Sequence, residues 1–473
     1  MKRFLLIIPI LFAFWSTNAQ NICISEIKLL GNTITKESTI MRELTFSENT
    51  ILPLSSFDSH LSDSKENLMN TSLFNYVYIS YVEDDNYADS LRQSSDIKYV
   101  IVRIVLEERW YWWPLFELHL EDKNTSSWFK HMKTDRITYE AGGKIYNIFG
   151  LGHKFEIVGR FGFEKGVNLK YSRLVLNKKK TAYLNIEAFH TINKIVDYIS
   201  YENKLQSYKS NKVLKKNWGG SVHFVSRHHH RTTNSVKLSF DYENVADSLL
   251  VLNPNFWGVN ATRMRYLQVE YSYKRDYRNY AKYPTKGFLL EFKGKIGEGN
   301  LFDFLYLNVS YEYQRYTKLS DKWYLNNGVN ISNTFHNHTS FIHDQAIGYE
   351  ESNISGYDLY VIDGQHFIIQ NNTLKYSILE QKIVPLNFIK KWNRFNKPFF
   401  SIYANAMLDF GYVYQSDKNM AHINKNNYTN KFLVGGGVRI DLLTYYDIII
   451  SVGYTINSFG KSSFVFGLKS ELF

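Results

Sequence analysis

The stretch LYLNVSYEYQRY, Leu305 to Tyr316, sets Leu305, Leu307, Val309, Tyr311 and Tyr313 on one side of an extended chain and Asn308, Ser310, Glu312 and Gln314 on the other. Successive side chains of a strand point to opposite faces, so this segment reads as a strand with one apolar and one polar face. YLQVEYSYK repeats the pattern, with Leu267, Val269, Tyr271 and Tyr273 against Gln268, Glu270, Ser272 and Lys274. VKLSFDYE repeats it again, with Val236, Leu238, Phe240 and Tyr242 against Lys237, Ser239, Asp241 and Glu243. Such segments run for roughly 8 to 12 residues, close to what a tilted strand needs to cross a bilayer core. About 16 of them follow one another from Pro114 to Phe473, and an even number closes an antiparallel barrel with both chain ends on one side.

The connections obey the same parity. If the first strand leaves the periplasm, alternate connections are external, and the long ones fall there: Asp122–Thr134, Thr191–Val213, Asp247–Ala261, Asn333–Gln365 and Gln415–Asn430, with short external turns at GFEKG, GEGN and SFGKS. The intervening connections IFGLG, NKKK, RHHHR, KLSD and LLTYY are tight, whereas Asp276–Pro284 and Glu380–Asn396 are longer. Pro114 and Pro398 open strands, and Pro254, Pro284 and Pro385 fall in connections, so none interrupts a hydrogen-bond ladder.

Period two alone does not separate a lipid-facing apolar face from a dry core, and the two ends of the chain decide between them. The first twenty residues, MKRFLLIIPILFAFWSTNAQ, place Lys2 and Arg3 before an apolar run from Phe4 to Trp15 and small residues before Gln20, the pattern of a secretory signal cleaved after Ala19. Its loss lowers the formal net charge from +11 to about +9. That mild, scattered excess on an exported chain points to lipid and surface polymer, not to nucleic acid. Cys23 is the single cysteine and reads as a small apolar residue of the first strand. The final SSFVFGLKSELF puts Phe464, Phe466, Leu468 and Leu472 on one face and ends on Phe473, and RWYWWP at Arg109–Pro114 suits a chain entering an interfacial aromatic girdle.

Residues 20–109 mix helix and strand. ISEIKLLGN is an apolar strand, Thr35 is placed to cap a short helix with Ile40, Met41 and Leu44 on one face, and a second helix carries Phe57, Leu61 and Leu68. YVYISYVED and IKYVIVRIVLEER are two further strands. The order strand, helix, helix, strand, strand makes one small α+β domain.

These features together resemble the BamA/TamA family of outer-membrane assembly and translocation barrels. ISEIKLLGNTIT, SLFNYVYIS and the element order resemble a single POTRA (polypeptide-transport-associated) domain over residues 20–109, and residues 110–473 resemble the 16-stranded barrel. The family's sixth external loop folds back into the barrel. Here SGYDLYVIDGQ followed by NNTLKYSIL is similar to it at Gly356, Tyr357, Gly364, Asn372, Leu374, Lys375 and Tyr376, with Ser355 and Asp363 in the same tip. MLDFGYVY is similar to the family strand whose acidic residue faces the tip, which is Asp409. GGGVRIDLL, with Gly437 and Arg439, is similar to the next strand, and RDYRNYAKYPTKG, with Asp276, Pro284 and Gly287, to an earlier segment. The family tip has arginine before its glycine, and this chain has Ser355. Asp409 therefore lacks the charge-assisted partner the resemblance implies, and Arg439 is the expected substitute.

RHHHR invites a metal hypothesis, but three consecutive histidines alternate faces and cannot converge on one ion, so a solvated periplasmic turn is expected there. His336, His338 and His343 read the same way. Glu380–Asn396 is basic and mildly amphipathic, suited to lipid headgroups, a partner or solvent. No nucleophile elbow, phosphate loop or metalloprotease motif occurs, so neither a catalytic residue nor a metal or other cofactor is expected. The resemblance implies a bacterial outer-membrane barrel that assists insertion or translocation of extended client polypeptides, with outer-membrane lipid around it and room for periplasmic or lipoprotein accessory factors. The alternative is a passive pore or surface barrel with a structural POTRA domain; an outer-membrane enzyme is a third reading without local sequence support.

Overall fold

The computed structural model describes residues 21–84, 97–120, 134–177, 181–349, 352–384, 398–416, 428–444 and 448–469. The signal stretch, residues 385–396 of the basic connection, Leu472 and Phe473 lie outside these.

The N-terminal unit comprises β1 (Asn21–Leu30), α1 (Glu37–Met41), β2 (Ile51–Pro53), α2 (Leu54–Asn70), β3 (Phe74–Glu83) and β4 (Ile97–Glu108). Its sheet runs β2-β1-β4-β3, with β1 and β4 parallel and both outer pairs antiparallel, so β3 is an edge. Val100, Val102, Ile104 and Leu106 alternate along β4 and meet Phe57 and Leu68 of α2, all buried. Burying each such side chain stabilises the unit by about 2 kcal/mol. Cys23 is buried with a free thiol in β1.

Two details depart from the sequence reading. β2 is an additional strand of three residues, too short for periodicity to reveal. Thr35 does not cap α1, whose N-cap is Lys36 with no side-chain bond. Instead Thr35 is buried: its amide donates to Glu108 Oε1 at 2.7 Å, and its hydroxyl accepts from Asn147 Nδ2 at 2.8 Å. A residue committed to the junction between the two sheets is not available to close a helix.

The remaining chain forms one antiparallel sheet of 16 strands. Its first five are β5 (Trp112–Leu120), β6 (Ile137–Ile148), β7 (His153–Gly162), β8 (Glu164–Val175) and β9 (Ala182–Asn193). A separate hairpin, β10 (Ile195–Tyr201) and β11 (Lys204–Lys209), precedes β12 (Lys215–His229) and β13 (Thr232–Val245). After helix α3 (Asp247–Leu252) come β14 (Arg263–Asp276), β15 (Gly287–Gly299), β16 (Phe304–Lys318) and β17 (Trp323–His336). The short pair β18 (Gln345–Ile347) and β19 (Ile362–Asp363) lies in the next connection. β20 (His366–Ile383), β21 (Phe399–Tyr414), β22 (Phe432–Thr444), β23 (Ile449–Asn457) and β24 (Ser462–Lys469) complete the sheet.

Which face points where is now settled. Leu305, Leu307, Tyr311, Val236, Leu238, Leu267 and Val269 are exposed on the outside. Asp241, Glu243, Gln268, Glu270, Ser310 and Glu312 from the opposite faces line an interior cavity of about 550 Å³. Apolar outside and polar inside is the reverse of a soluble sandwich and the pattern of a membrane barrel. Several strands exceed the expected 12 residues, reaching 18 in β20, while the sheet's terminal strands β5 and β24 have only 9 and 8. Among the described residues no ladder joins β5 to β24.

The connections alternate between the end bearing the N-terminal unit and the far end. At the far end, α3 and its neighbours bury Leu249, Phe256, Trp257, Phe304 and Phe341 in one apolar cluster, with the Phe256 and Trp257 rings edge to face at 4.7 Å. The connection from β17 to β20, which holds ISGYDLYVIDGQ, is the sixth at that end.

Candidate functional site

This sixth connection turns into the barrel and places its tip on the inner faces of β21, β22 and β23. Odd-numbered residues of β21 point inward, as the burial of Ser401, Tyr403, Asn405, Asp409 and Val413 shows. Asp409 is therefore aimed at the tip. Its Oδ2 accepts the backbone amide of Ser355 at 2.9 Å and its Oδ1 accepts the amide of Asn372 at 3.1 Å. A carboxylate expected to need an arginine is satisfied by two main-chain N–H groups, one from the tip and one from β20.

The rest of the tip is fixed as closely. Gly356 has φ +84°, and a Cβ there would lie 2.4 Å from the Ile456 carbonyl oxygen, so both the left-handed backbone and the close approach require glycine. Its amide donates to Asp358 Oδ2 at 3.1 Å and its carbonyl accepts from Asn457 Nδ2 at 2.9 Å. Beneath it, a Cβ on Gly435 would meet the Ser355 carbonyl oxygen at 1.8 Å, so the wall is bare where the tip rests. Asp358 also accepts from Thr455 Oγ1 at 2.8 Å. Tyr357 is buried, its hydroxyl 3.2 Å from Ser458 Oγ and its ring edge-on to Tyr428 at 5.4 Å.

Farther along, Asp363 is buried and accepts from Ser200 Oγ of β10 and Tyr349 Oη. Burial pushes its carboxyl up to about 6. The Gly364 amide donates to the Asp344 carbonyl at 2.7 Å. The tip thus joins the inner wall on one side to the far-end hairpin on the other.

Arg439 does not take the role expected of it. Its Nε and terminal nitrogen donate to Asp441 at 2.8 and 3.2 Å. The register explains why: Arg439 lies opposite Asn405, four residues from Asp409 along β21, or roughly 13 Å. Asp441 instead anchors the connection between β14 and β15. It accepts from Tyr283 Oη at 2.8 Å, Tyr283 stacks on Tyr403 at 4.7 Å, and Lys375 Nζ donates to the Pro284 carbonyl at 3.2 Å while lying 4.1 Å from the Tyr283 ring centre. Asp276 pairs with Arg278 at 2.6 Å, and Gly287 turns at φ +102°.

RHHHR reads as a solvated turn, and His228 and His229 are exposed, but its flanking arginines make a docking contact. Arg227 grips Glu43 of the N-terminal unit through two bonds, at 3.0 and 3.1 Å, and Arg231 reaches Asp63 and Glu66 of α2 at 3.2 and 2.9 Å. The turn IFGLG takes part as well, its Gly150 carbonyl accepting from the Lys36 amide at 3.0 Å and Thr39 Oγ1 at 2.8 Å. Glu43 is almost wholly buried; burial alone would raise its carboxyl, but Arg227 and Arg42 hold it below the usual range. The only sequence signal was arginines flanking the histidines, with acidic partners more than 160 residues away.

Glu117, His119 and Glu140 bring three ligand-type atoms within 4.8 Å of one another. Arg160 lies 2.6 Å from Glu140 and Lys144 lies 3.6 Å from Glu117, so both carboxylates already face cations. At the chain's end, Phe464 and Phe466 face outward; the Leu468 side chain lies outside what the structure describes.

No protein-family model and no curated protein matches the chain. Among solved structures it is similar to BamA from Haemophilus ducreyi lacking POTRA domains 1-3, at 15% identity, covering 95% of this chain and 85% of that one, with a TM-score of 0.51. It is also similar to CdiB from Acinetobacter baumannii, at 11% identity over 95% and 73% of the two chains with a TM-score of 0.46, and to CdiB from Escherichia coli, at 10% over 97% and 90% with 0.45. The likeness to BamA is one of fold, and it is the fold that the sequence resemblance implied.

Proposed function

We propose that the protein is a bacterial outer-membrane barrel that assists the insertion or translocation of client polypeptides, with its N-terminal unit serving as a single periplasmic POTRA domain after removal of residues 1–19. The observation that carries this reading is the pair of short terminal strands, with no ladder between them among the described residues. β24, with 8 residues, is the sheet's shortest strand and β5, with 9, ties with β23 for the next, and the outward aromatics Phe116 and Phe464 are 74% and 77% exposed. An unpaired strand edge is a template for another extended chain, and β3, which pairs only with β4 among the described residues, offers a second one. A client strand would add at such an edge, driven by its own hydrogen bonding and burial, with no bond made or broken. The tip at Ser355, Gly356 and Tyr357, held by Asp409, would stiffen β21–β23 so that movement concentrates at the seam.

The interior cavities favour a second reading, a pore. Depletion followed by quantitative outer-membrane proteomics separates the two. Loss of a defined set of barrels or surface proteins supports the assembly reading; an unchanged proteome with altered solute uptake supports the pore.

A further inference from the structure

Between the docked N-terminal unit and the inner wall of β8, β9, β12 and β13 lies a chamber of about 580 Å³. That volume suits a small ligand. Its lining carries seven lysine and arginine side chains against three carboxylates, Glu43, Glu187 and Asp276. Cations come from both bodies: Arg42 from the N-terminal unit, and Arg173, Arg227 and Lys170 from the barrel. Glu43 answers Arg42 and Arg227, but Arg173, Lys170, Lys237 and Lys274 form no ion pair among the described residues, so positive charge in the chamber stays uncompensated.

Two nitrogens in this chamber, one of them a guanidinium donor, are buried without a hydrogen-bond partner. The Arg42 side chain is 10% exposed; its Nε is used on Glu43 at 2.8 Å, but one terminal nitrogen has none. His230 Nδ1 is the other. The wall is also bent to present its arginines. Register shifts mark bulges at Tyr171/Leu174 in β8 and at Arg227/His229 in β12, and such bulges re-aim side chains. Arg173 sits in the first with φ +62°, and its guanidinium reaches the Thr71 carbonyl of the N-terminal unit at 3.3 Å. A strained backbone at an arginine that touches both bodies marks a built feature.

The geometry points to an anion site in this chamber, formed jointly by Arg42, Arg173 and His230 with the surrounding lysines, that takes a small soluble phosphate-bearing anion and clamps the N-terminal unit onto the barrel. Planar guanidinium forks match phosphoryl oxygens, and an acceptor-rich group would take up the donor capacity that Glu43 and the Thr71 carbonyl leave unused. Lys170, Glu187, His223 and Lys237, from the face of β8, β9, β12 and β13 opposite the exposed Leu169, Val222 and Val236, are among the residues that line it.

The test is thermal unfolding of the full chain in a maltoside detergent, which carries no phosphate, titrated with inorganic pyrophosphate and with sodium chloride at matched ionic strength. The expected result is a saturable rise in Tm with pyrophosphate alone. Arg42→Gln and Arg173→Gln should each raise the half-saturating concentration at least ~10-fold, Arg173→Lys less, and Lys293→Gln in the other cavity not at all. Should Arg42→Gln fail to fold, the Arg173 pair decides. A Tm rise no larger than with chloride, a rise unchanged in both arginine variants, or a rise produced only by added phosphatidylglycerol would each overturn the proposal.

Discussion

At the scale of single residues, the loop tip is held by main chain. Because the Ser355 amide makes the bond to Asp409 and its Oγ lies only 3.7 Å from Met407 Sδ, Ser355→Ala should change stability by less than about 0.5 kcal/mol. Asp409→Ala removes the buried acceptor for two amides and should cost about 2–3 kcal/mol, read as faster hydrogen exchange at Ser355 and Asn372. Equal effects from the two variants would refute the main-chain account. Gly356→Ala should release the tip, because its Cβ would meet the Ile456 carbonyl, whereas Gly460→Ala, at a similar φ of +71° with open space around it, should cost only about 1 kcal/mol. Limited proteolysis of the sixth connection distinguishes them: only Gly356→Ala should expose new cleavage.

At the scale of elements, the N-terminal unit is pinned by the turns after β6 and β12. Glu43→Gln breaks a largely buried bidentate pair and leaves Arg227 uncompensated, at a cost of about 3 kcal/mol, seen as increased exchange through α1 and the β12–β13 turn. The same pair sets a pH response. The folded-state pKa of Glu43 lies below its unfolded value of about 4.3, so its contribution is complete above that pH and is lost only as the pH falls through the lower folded value. Docking should therefore survive mild acid, and a loss of contact between pH 7 and 5 would contradict this. The sequence displayed much of the element plan: alternation gave the strand faces, connection length gave the parity, and the Gly356 and Gly364 punctuation located the tip. It hid whatever depends on main chain or on distant pairing. A backbone amide has no letter, so the sequence offers Arg439 where Asp409 in fact meets main chain; the Arg227–Glu43 contact spans 184 positions; and β2 is too short to show a period.

At the scale of the whole molecule, an apolar exterior, a charged lumen, an inward loop on β21–β23 and, among the described residues, no ladder between β5 and β24 make the arrangement from which the proposed role follows: a wall held on one side of a seam at which a client strand would add. The most direct test places purified full-length protein in liposomes and follows the folding of an unfolded outer-membrane barrel client by its heat-modifiable gel mobility. The account predicts a saturable acceleration that disappears when β5 and β24 are cross-linked. Client folding at the rate seen in empty liposomes, together with solute flux through the uncrosslinked barrel, would contradict it.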